Sequence, residues 1–233
     1  KERLVISIMR MENITFSTKN PMELLNQKKV YNFLNLYSVY LFNKEPIFNK
    51  EVSKKQNITF PDGKIVSWKL GIPQKRGPTF TKEFLTSSLA KTKKHFFICN
   101  VGGETISQKT GISENKIYSY NIPYIKNLEF SEEEKNKVVS LLKEFKPDYI
   151  WVCIGNPKQE ILANQLYKKY TSTYFNVGAG LEFLLGEKKE APNFWRSMGL
   201  EWFYRLITDF NYSWKKVWRS FIALKYLKKI KVE

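Results

Sequence analysis

Two stretches decide how this chain reads: Trp151-Val-Cys-Ile-Gly-Asn-Pro-Lys-Gln-Glu160 and, a short way on, Val177-Gly-Ala-Gly-Leu-Glu-Phe-Leu-Leu-Gly186. In each, an apolar run stops at a glycine and polar residues follow. A buried parallel strand that delivers a loop to the edge of a sheet has this form, and open α/β folds hold their ligands at that edge. Reading outward, Asp148–Ile154 and Thr173–Val177 are strands separated by a helix over Gln159–Tyr170. A helix to about Phe145 precedes them, opened by Ser131-Glu-Glu-Glu134, which has the spacing of a capping box. Strand and helix alternate, which predicts an α/β fold with a largely parallel sheet, right-handed crossovers and flanking helices.

The N-terminal half supplies more of the same. Leu4–Met9 and Ile14–Phe16 read as a hairpin, Val30–Asn35 as a strand, and Tyr37–Phe42 and Phe80–Lys91 as helices. His95–Asn100 is a further strand that exits through Gly102-Gly103. Gly71–Pro78 is a basic, glycine- and proline-containing loop and a candidate mobile segment. Past Gly186 the character changes: Asn193–Ile207 is an aromatic-rich helix and Trp214–Lys229 a basic one. We therefore expect a core over 1–192 and a helical C-terminal appendage over 193–233.

The net charge of +17, from 39 basic and 22 acidic side chains, calls for an anionic partner. Nucleic acid, acidic lipid and phosphorylated substrates all satisfy that demand. Cys99 and Cys153 both sit in apolar runs and read as buried thiols, which suits a reducing, cytosolic compartment. No stretch reaches the ~20 apolar residues of a membrane span.

Asp62 leads the candidate site residues. It follows a short strand in the turn Pro61-Asp62-Gly63, where a carboxylate can serve as a general base or simply cap its own turn. Gly155-Asn-Pro157-Lys158-Gln159-Glu160 opens a helix, and amides there with the positive end of the helix dipole suit a phosphate. Lys158 would add charge and Gln159 would bond a base or sugar. Val177-Gly178-Ala-Gly180 lacks the third glycine of a dinucleotide fingerprint, so an oxidoreductase is the third-ranked reading. There is no Walker A loop, zinc-ligand cluster or Asp-x-Asp pair, and the single histidine, His95, reads as structural. Arg205, in Gly199-Leu-Glu-Trp-Phe-Tyr-Arg205-Leu, could clamp a diphosphate or pair with Glu201 one turn away. Trp214, Trp218, Arg219 and the neighbouring lysines fit a helix lying on anionic lipid, an RNA-binding face, or a plain solvated face.

Taken together and in order, Gly155-x-Pro-Lys-Gln-Glu160, Val177-Gly-Ala-x-x-Glu-Phe183, Gly186, Ala191-Pro192 and Gly199-Leu-Glu-Trp-x-Tyr-Arg-Leu206 resemble the WecG/TagA/CpsF glycosyltransferases, glycosyltransferase family 26. Asn35, Pro61-Asp62-Gly63 and Gly102-Gly103 fit further family positions. The resemblance implies a Rossmann-like core and an inverting transfer that needs no metal or other cofactor. The donor it implies is a UDP-sugar, typically carrying N-acetylmannosamine. The acceptor it implies is a saccharide on polyprenyl diphosphate, at the inner face of a bacterial-type plasma membrane, in capsule, teichoic acid or other cell-surface polysaccharide synthesis. It assigns Asp62 as catalytic base. Asn35, Gly102, Gly103, Gly155, Pro157, Lys158, Gln159, Glu160, Gly178, Glu182, Arg205 and Arg219 become its candidate substrate-binding residues. An anionic membrane surface is the further partner, self-association is left open, and nucleic acid is not expected. The chain departs from the family pattern at Phe33 (usually Thr), Glu182 (usually Asp), Glu190 (usually Arg) and in the arginine-poor run after Arg205. The alternative function is a non-catalytic nucleotide-sugar or RNA-binding protein on the same fold.

Overall fold

Four short segments, Val-Tyr-Asn-Phe-Leu, His-Phe-Phe-Ile, Tyr-Ile-Trp-Val and Thr-Tyr-Phe-Asn, are buried along their whole length, so each needs neighbours on both faces. A computed structural model of the chain, which describes residues 13–125 and 127–232, shows how they obtain them. The chain runs through β1 (Ile14–Phe16), β2 (Val30–Leu34), α1 (Leu36–Lys44), α2 (Pro46–Val52) and β3 (Asn57–Pro61). It continues with α3 (Lys64–Leu70), α4 (Gly77–Leu85), α5 (Ser88–Thr92), β4 (His95–Ile98), α6 (Gly103–Thr110) and β5 (Ile117–Tyr120). Then come α7 (Glu132–Phe145), β6 (Tyr149–Val152), α8 (Lys158–Tyr167), β7 (Thr173–Asn176) and α9 (Gly180–Leu185). The C-terminal part holds α10 (Asn193–Ser197), α11 (Glu201–Thr208), α12 (Phe210–Ala223) and β8 (Ile230–Val232).

Six strands form one sheet in the order β3-β2-β7-β6-β4-β5, and every pairing in it is parallel. This is the expected Rossmann-like α/β arrangement, and it brings all six strand C-termini to one edge. One face packs aromatics: Phe33, Trp151 and Phe175 meet Phe80 and Phe84 of α4, and Phe97 stacks on Trp151. The opposite face packs Val30, Ile98, Ile150 and Tyr174 under Val138 and Leu142 of α7 and Leu162 and Leu166 of α8. His95 belongs to this framework: its Nε2 lies 2.9 Å from the Ala90 carbonyl, and its Nδ1 accepts from the Trp151 indole at 3.0 Å. Its burial pushes the imidazole down to about 4, so it is neutral and structural, as expected.

The C-terminal helices return to the core. Ala223 and Ile230 are buried in the same cluster as Leu34, Val39 and Phe48, and β8 pairs in parallel with β1. The expected hairpin partner of Ile14–Phe16, Leu4–Met9, lies outside the described residues. Several boundaries differ from expectation for local reasons. The helix expected over 80–91 is two helices, because Ser87 caps a new start by accepting from the Ala90 amide. The helix expected over 193–207 breaks at Gly199, whose φ of +73° ends α10. The helix expected to reach Lys229 ends at Ala223, in a 3₁₀ turn that leads into β8. Ser131 does cap α7, but the Glu134 carboxylate accepts from the Tyr120 hydroxyl at 2.5 Å. The Gly71–Pro78 loop is tied to β3: Lys75 N–H bonds the Pro61 carbonyl at 2.8 Å.

Candidate active site

Because the sheet is parallel, the turns after β2, β3, β4, β6 and β7 meet along one rim. Connections leave β4 toward β5 and leave β6 toward β7, so they diverge between these neighbouring strands. Such a divergence opens the crevice in which parallel sheets bind ligands. Gly102-Gly103 stands on one side of it and Gly155–Pro157 on the other. Gly155 has φ +85°, a conformation L side chains avoid, and it turns the chain from β6 into α8. On the β5 side of Gly102-Gly103, Asn100, Gly102, Gly103, Tyr118, Ser119 and Asn121 line an open cavity of about 480 Å³, to which the β6 turn does not contribute. Asp62, at the far strand β3, is four strand spacings from β4, roughly 19 Å at the usual inter-strand distance.

At the Asp62 end the geometry is tightly specified. Asn35 caps α1: its Oδ1 accepts from Ser38 N–H at 3.2 Å, and the Ser38 hydroxyl accepts from Asn35 N–H at 3.3 Å. A Cβ on Gly63 would sit 3.4 Å from the Asn35 Cβ, so these two turns touch. Asp62 N–H bonds the Leu34 carbonyl at 3.0 Å, and its own carbonyl accepts from Gln74 Nε2 at 2.6 Å. Its Oδ1 accepts from Gly77 N–H at 3.3 Å, at the positive end of α4. A neighbouring helix, through the Gly77 amide, thus helps to orient the carboxylate. Asn156 Nδ2 donates to the Ser38 hydroxyl at 3.3 Å, which ties the β6 turn to the Asn35 side of the rim.

The Gly155–Glu160 loop is held from within. Gln159 is buried, and its amide joins two turns: Oε1 accepts from Gly178 N–H at 2.9 Å and Nε2 donates to Glu160 at 2.9 Å. Both polar atoms of Gln159 thus face protein in this structure. Glu160 is fully buried, and its Oε2 has no hydrogen-bond partner among the described residues. Burial pushes its carboxyl up to about 7, although Gln159 and Asn156 beside it oppose the rise. Lys158 turns to the segment after β5, where its Nζ bonds the Ile125 carbonyl and lies 4.1 Å from the exposed Tyr124 ring. It anchors that segment.

Glu182, in the first turn of α9, pairs with Lys188 at 2.9 Å. Cys99 and Cys153 are free thiols that burial pushes up, so neither is poised as a nucleophile. Arg219 packs against α1, with Nη1 3.5 Å from the Tyr37 hydroxyl and the guanidinium 5.7 Å from the Tyr40 ring centre. Arg205 falls on α11, and its side chain lies outside the described residues. Arg76, which falls in the basic Gly71–Pro78 stretch, stands next to Gly77 on the Asp62 side of the rim. Among the described residues no three His, Cys, Asp or Glu side chains gather as a metal site.

Fold and rim together define a parallel α/β protein with a crevice suited to a phosphorylated ligand and a fixed carboxylate at the opposite end. The chain belongs to the Glycosyl transferase WecG/TagA/CpsF family, whose model matches residues 4–231. It is also similar to the N-acetylglucosaminyldiphosphoundecaprenol N-acetyl-beta-D-mannosaminyltransferase of Staphylococcus aureus strain NCTC 8325 / PS 47. The two are 38% identical over 100 residues, which are 42% of this chain and 38% of the relative. The protein of the same name from strain MRSA252 is 36% identical over the same shares. The match thus spans well under half the length of these relatives.

Proposed function

We propose that this chain is an inverting, metal-independent glycosyltransferase. It would move a sugar from a UDP-sugar to a saccharide on polyprenyl diphosphate in cell-surface polysaccharide synthesis. The observation that carries the reading is the Asp62 carboxylate, held by the Gly77 amide at one end of the rim, with an open cavity lined by Gly102 and Gly103 between the β4 and β5 exits toward the other. A nucleotide sugar laid along the strand ends would put its uridine near Gly102, Gly103 and Gly155 and its sugar toward Asn35 and Asp62. In the reaction, Asp62 takes the proton from the acceptor hydroxyl as that oxygen attacks the anomeric carbon. The bond from that carbon to the β-phosphate oxygen breaks, and UDP leaves with the electron pair. Amides of the Gly155–Lys158 turn, with Arg76 and Arg205, balance the charge that grows on the leaving diphosphate. Gln159 and Glu160 set the shape of the turn, Gly178 supplies the peptide that Gln159 holds, and Lys158 holds the Tyr124 segment over it.

The acceptor class follows the relatives' names, which specify an undecaprenyl-diphosphate-linked N-acetylglucosamine, and an N-acetylmannosamine donor is the starting expectation. Glu182 and Glu190, where the family pattern differs, are the positions at which we expect donor choice to diverge. Membrane attachment is a further part of the reading. Most of the large exposed apolar side chains lie beyond residue 193, among them Phe194, Met198, Ile207, Phe210, Trp214 and Trp218. Exposed Lys215 and half-buried Lys216 sit among them, a combination that suits an anionic bilayer surface. No described helix is long and apolar enough to cross a membrane. The test is UDP release from a panel of UDP-sugars in the presence of a polyprenyl-diphosphate N-acetylglucosamine acceptor. Release with one donor supports the reading; no release with any donor, alongside tight nucleotide-sugar or RNA binding, favours a non-catalytic binding protein.

A further inference from the structure

Arg76 is the residue just before Gly77, so its backbone adjoins the amide that orients Asp62. Its side chain is 14% exposed, and two carboxylates reach it from the distant C-terminal part of the chain. Glu190 Oε2 accepts from both Nη1 and Nη2 at 3.2 Å, and Glu201 Oε2 lies 3.5 Å from Nη2. The same Glu190 oxygen is also held by Arg196, which in turn bonds Asn193. Glu190 and Glu201 bracket α10, so this guanidinium fastens the root of the C-terminal helices to the Asp62 side of the rim, alongside the buried Ala191 and the packing of Gly199 on Lys64 and Trp68.

Two carboxylates around a guanidinium present the charge and the oxygen geometry that a diphosphate would present to it. Both are partly withdrawn from water, at 29% and 24% exposure, so a third anion arriving at Arg76 meets like charge with little screening. We propose that Glu190 and Glu201 form a latch that occupies Arg76 in place of a substrate diphosphate, so that a diphosphate displaces them and frees the 190–201 segment. This rests on the glycosyltransferase reading for the identity of the natural anion only. The exchange couples two things the fold keeps apart: occupancy of the rim, and the hold on the helices that carry the exposed aromatic and basic side chains.

The test uses inorganic pyrophosphate, which carries no sugar, so its result is independent of whether the chain transfers one. Hydrogen exchange of the full chain is followed by mass spectrometry with and without pyrophosphate. Binding is measured for the wild type, for Glu190→Gln and for Glu187→Gln, an exposed carboxylate on the same connection that removes equal charge. Pyrophosphate is expected to speed exchange in peptides covering 190–201 of the wild type. Glu190→Gln is expected to bind pyrophosphate roughly two- to fivefold more tightly than Glu187→Gln, the range of a partly exposed ion pair, and to exchange faster over 190–201 with no ligand. Pyrophosphate that fails to bind, that binds without changing exchange over 190–201, or that binds both variants equally overturns the latch. Should Glu190→Gln not fold, the wild-type exchange decides alone.

Discussion

Glu160→Gln isolates the most costly group in the candidate loop. The Glu160 side chain is fully buried in the first turn of α8, and its carboxyl titrates at about 7, against an ordinary 4.5. Below about pH 4.5 the carboxyl is protonated in folded and unfolded chains alike. As pH rises from there toward 7, the unfolded chain gives up the proton while the folded chain keeps it, so stability falls. Above 7 both are ionised and the deficit is complete, at about 3 kcal/mol for about 1.4 kcal/mol per pH unit. His95 slopes the other way. Burial holds it at about 4 against an ordinary 6.5, so its contribution is full above 6.5 and is lost as pH falls through 4. Between about pH 4.5 and 6.5 the two slopes oppose each other, and the wild type hides both. Glutamine keeps the shape of Glu160 and cannot ionise. Urea unfolding of the two proteins at pH 5 to 8.5 should therefore show a gap that favours Glu160→Gln, reaching about 3 kcal/mol at pH 8 and closing toward pH 4.5. A gap that does not change with pH, or one that favours the wild type at pH 8, would refute the argument that burial raises this carboxyl.

Two further variants probe other parts of the molecule. A Cβ at Gly180 would stand 2.7 Å from the Thr81 hydroxyl and 3.4 Å from the Pro78 Cα, so Gly180→Ala should cost roughly 1–3 kcal/mol in thermal unfolding; an unchanged midpoint would mean that α4 and α9 are less tightly packed than described. Replacing Trp214 and Trp218 together by alanine should reduce flotation with anionic liposomes by about tenfold or more, since each exposes a large apolar face; undiminished flotation would remove these residues from the membrane reading.

The central strands could be read from the sequence because they are buried on both faces, and unbroken runs such as Tyr149–Val152 follow directly from that. The edge strand Ile117–Tyr120 escaped, since three of its four residues are only partly buried and the run has no strong pattern. Helices α3 and α6 are short and lie between turn residues, and they escaped for the same reason. Asp62 was legible because Pro-Asp-Gly marks a strand end, but the partner that orients it was not: Gly77 lies 15 residues on, in what read as a loose loop. The Lys-Gln-Glu run looked like a polar turn facing a ligand. In the fold Gln159 and Glu160 point inward, because the turn must be fastened to Gly178 of the next strand exit. Arg76 and its acids are 114 and 125 residues apart, and pairing over that distance leaves no local trace in a sequence.

The account depends most on Asp62. Its direct test is Asp62→Asn in the donor-panel assay, with UDP binding measured on the same protein. If the carboxylate takes the acceptor proton, transfer should fall by at least ~10²-fold, while the variant still binds UDP, whose uridine end is seated across the rim at the β4 and β6 exits. Wild-type turnover in Asp62→Asn would contradict the assignment of Asp62 as the base.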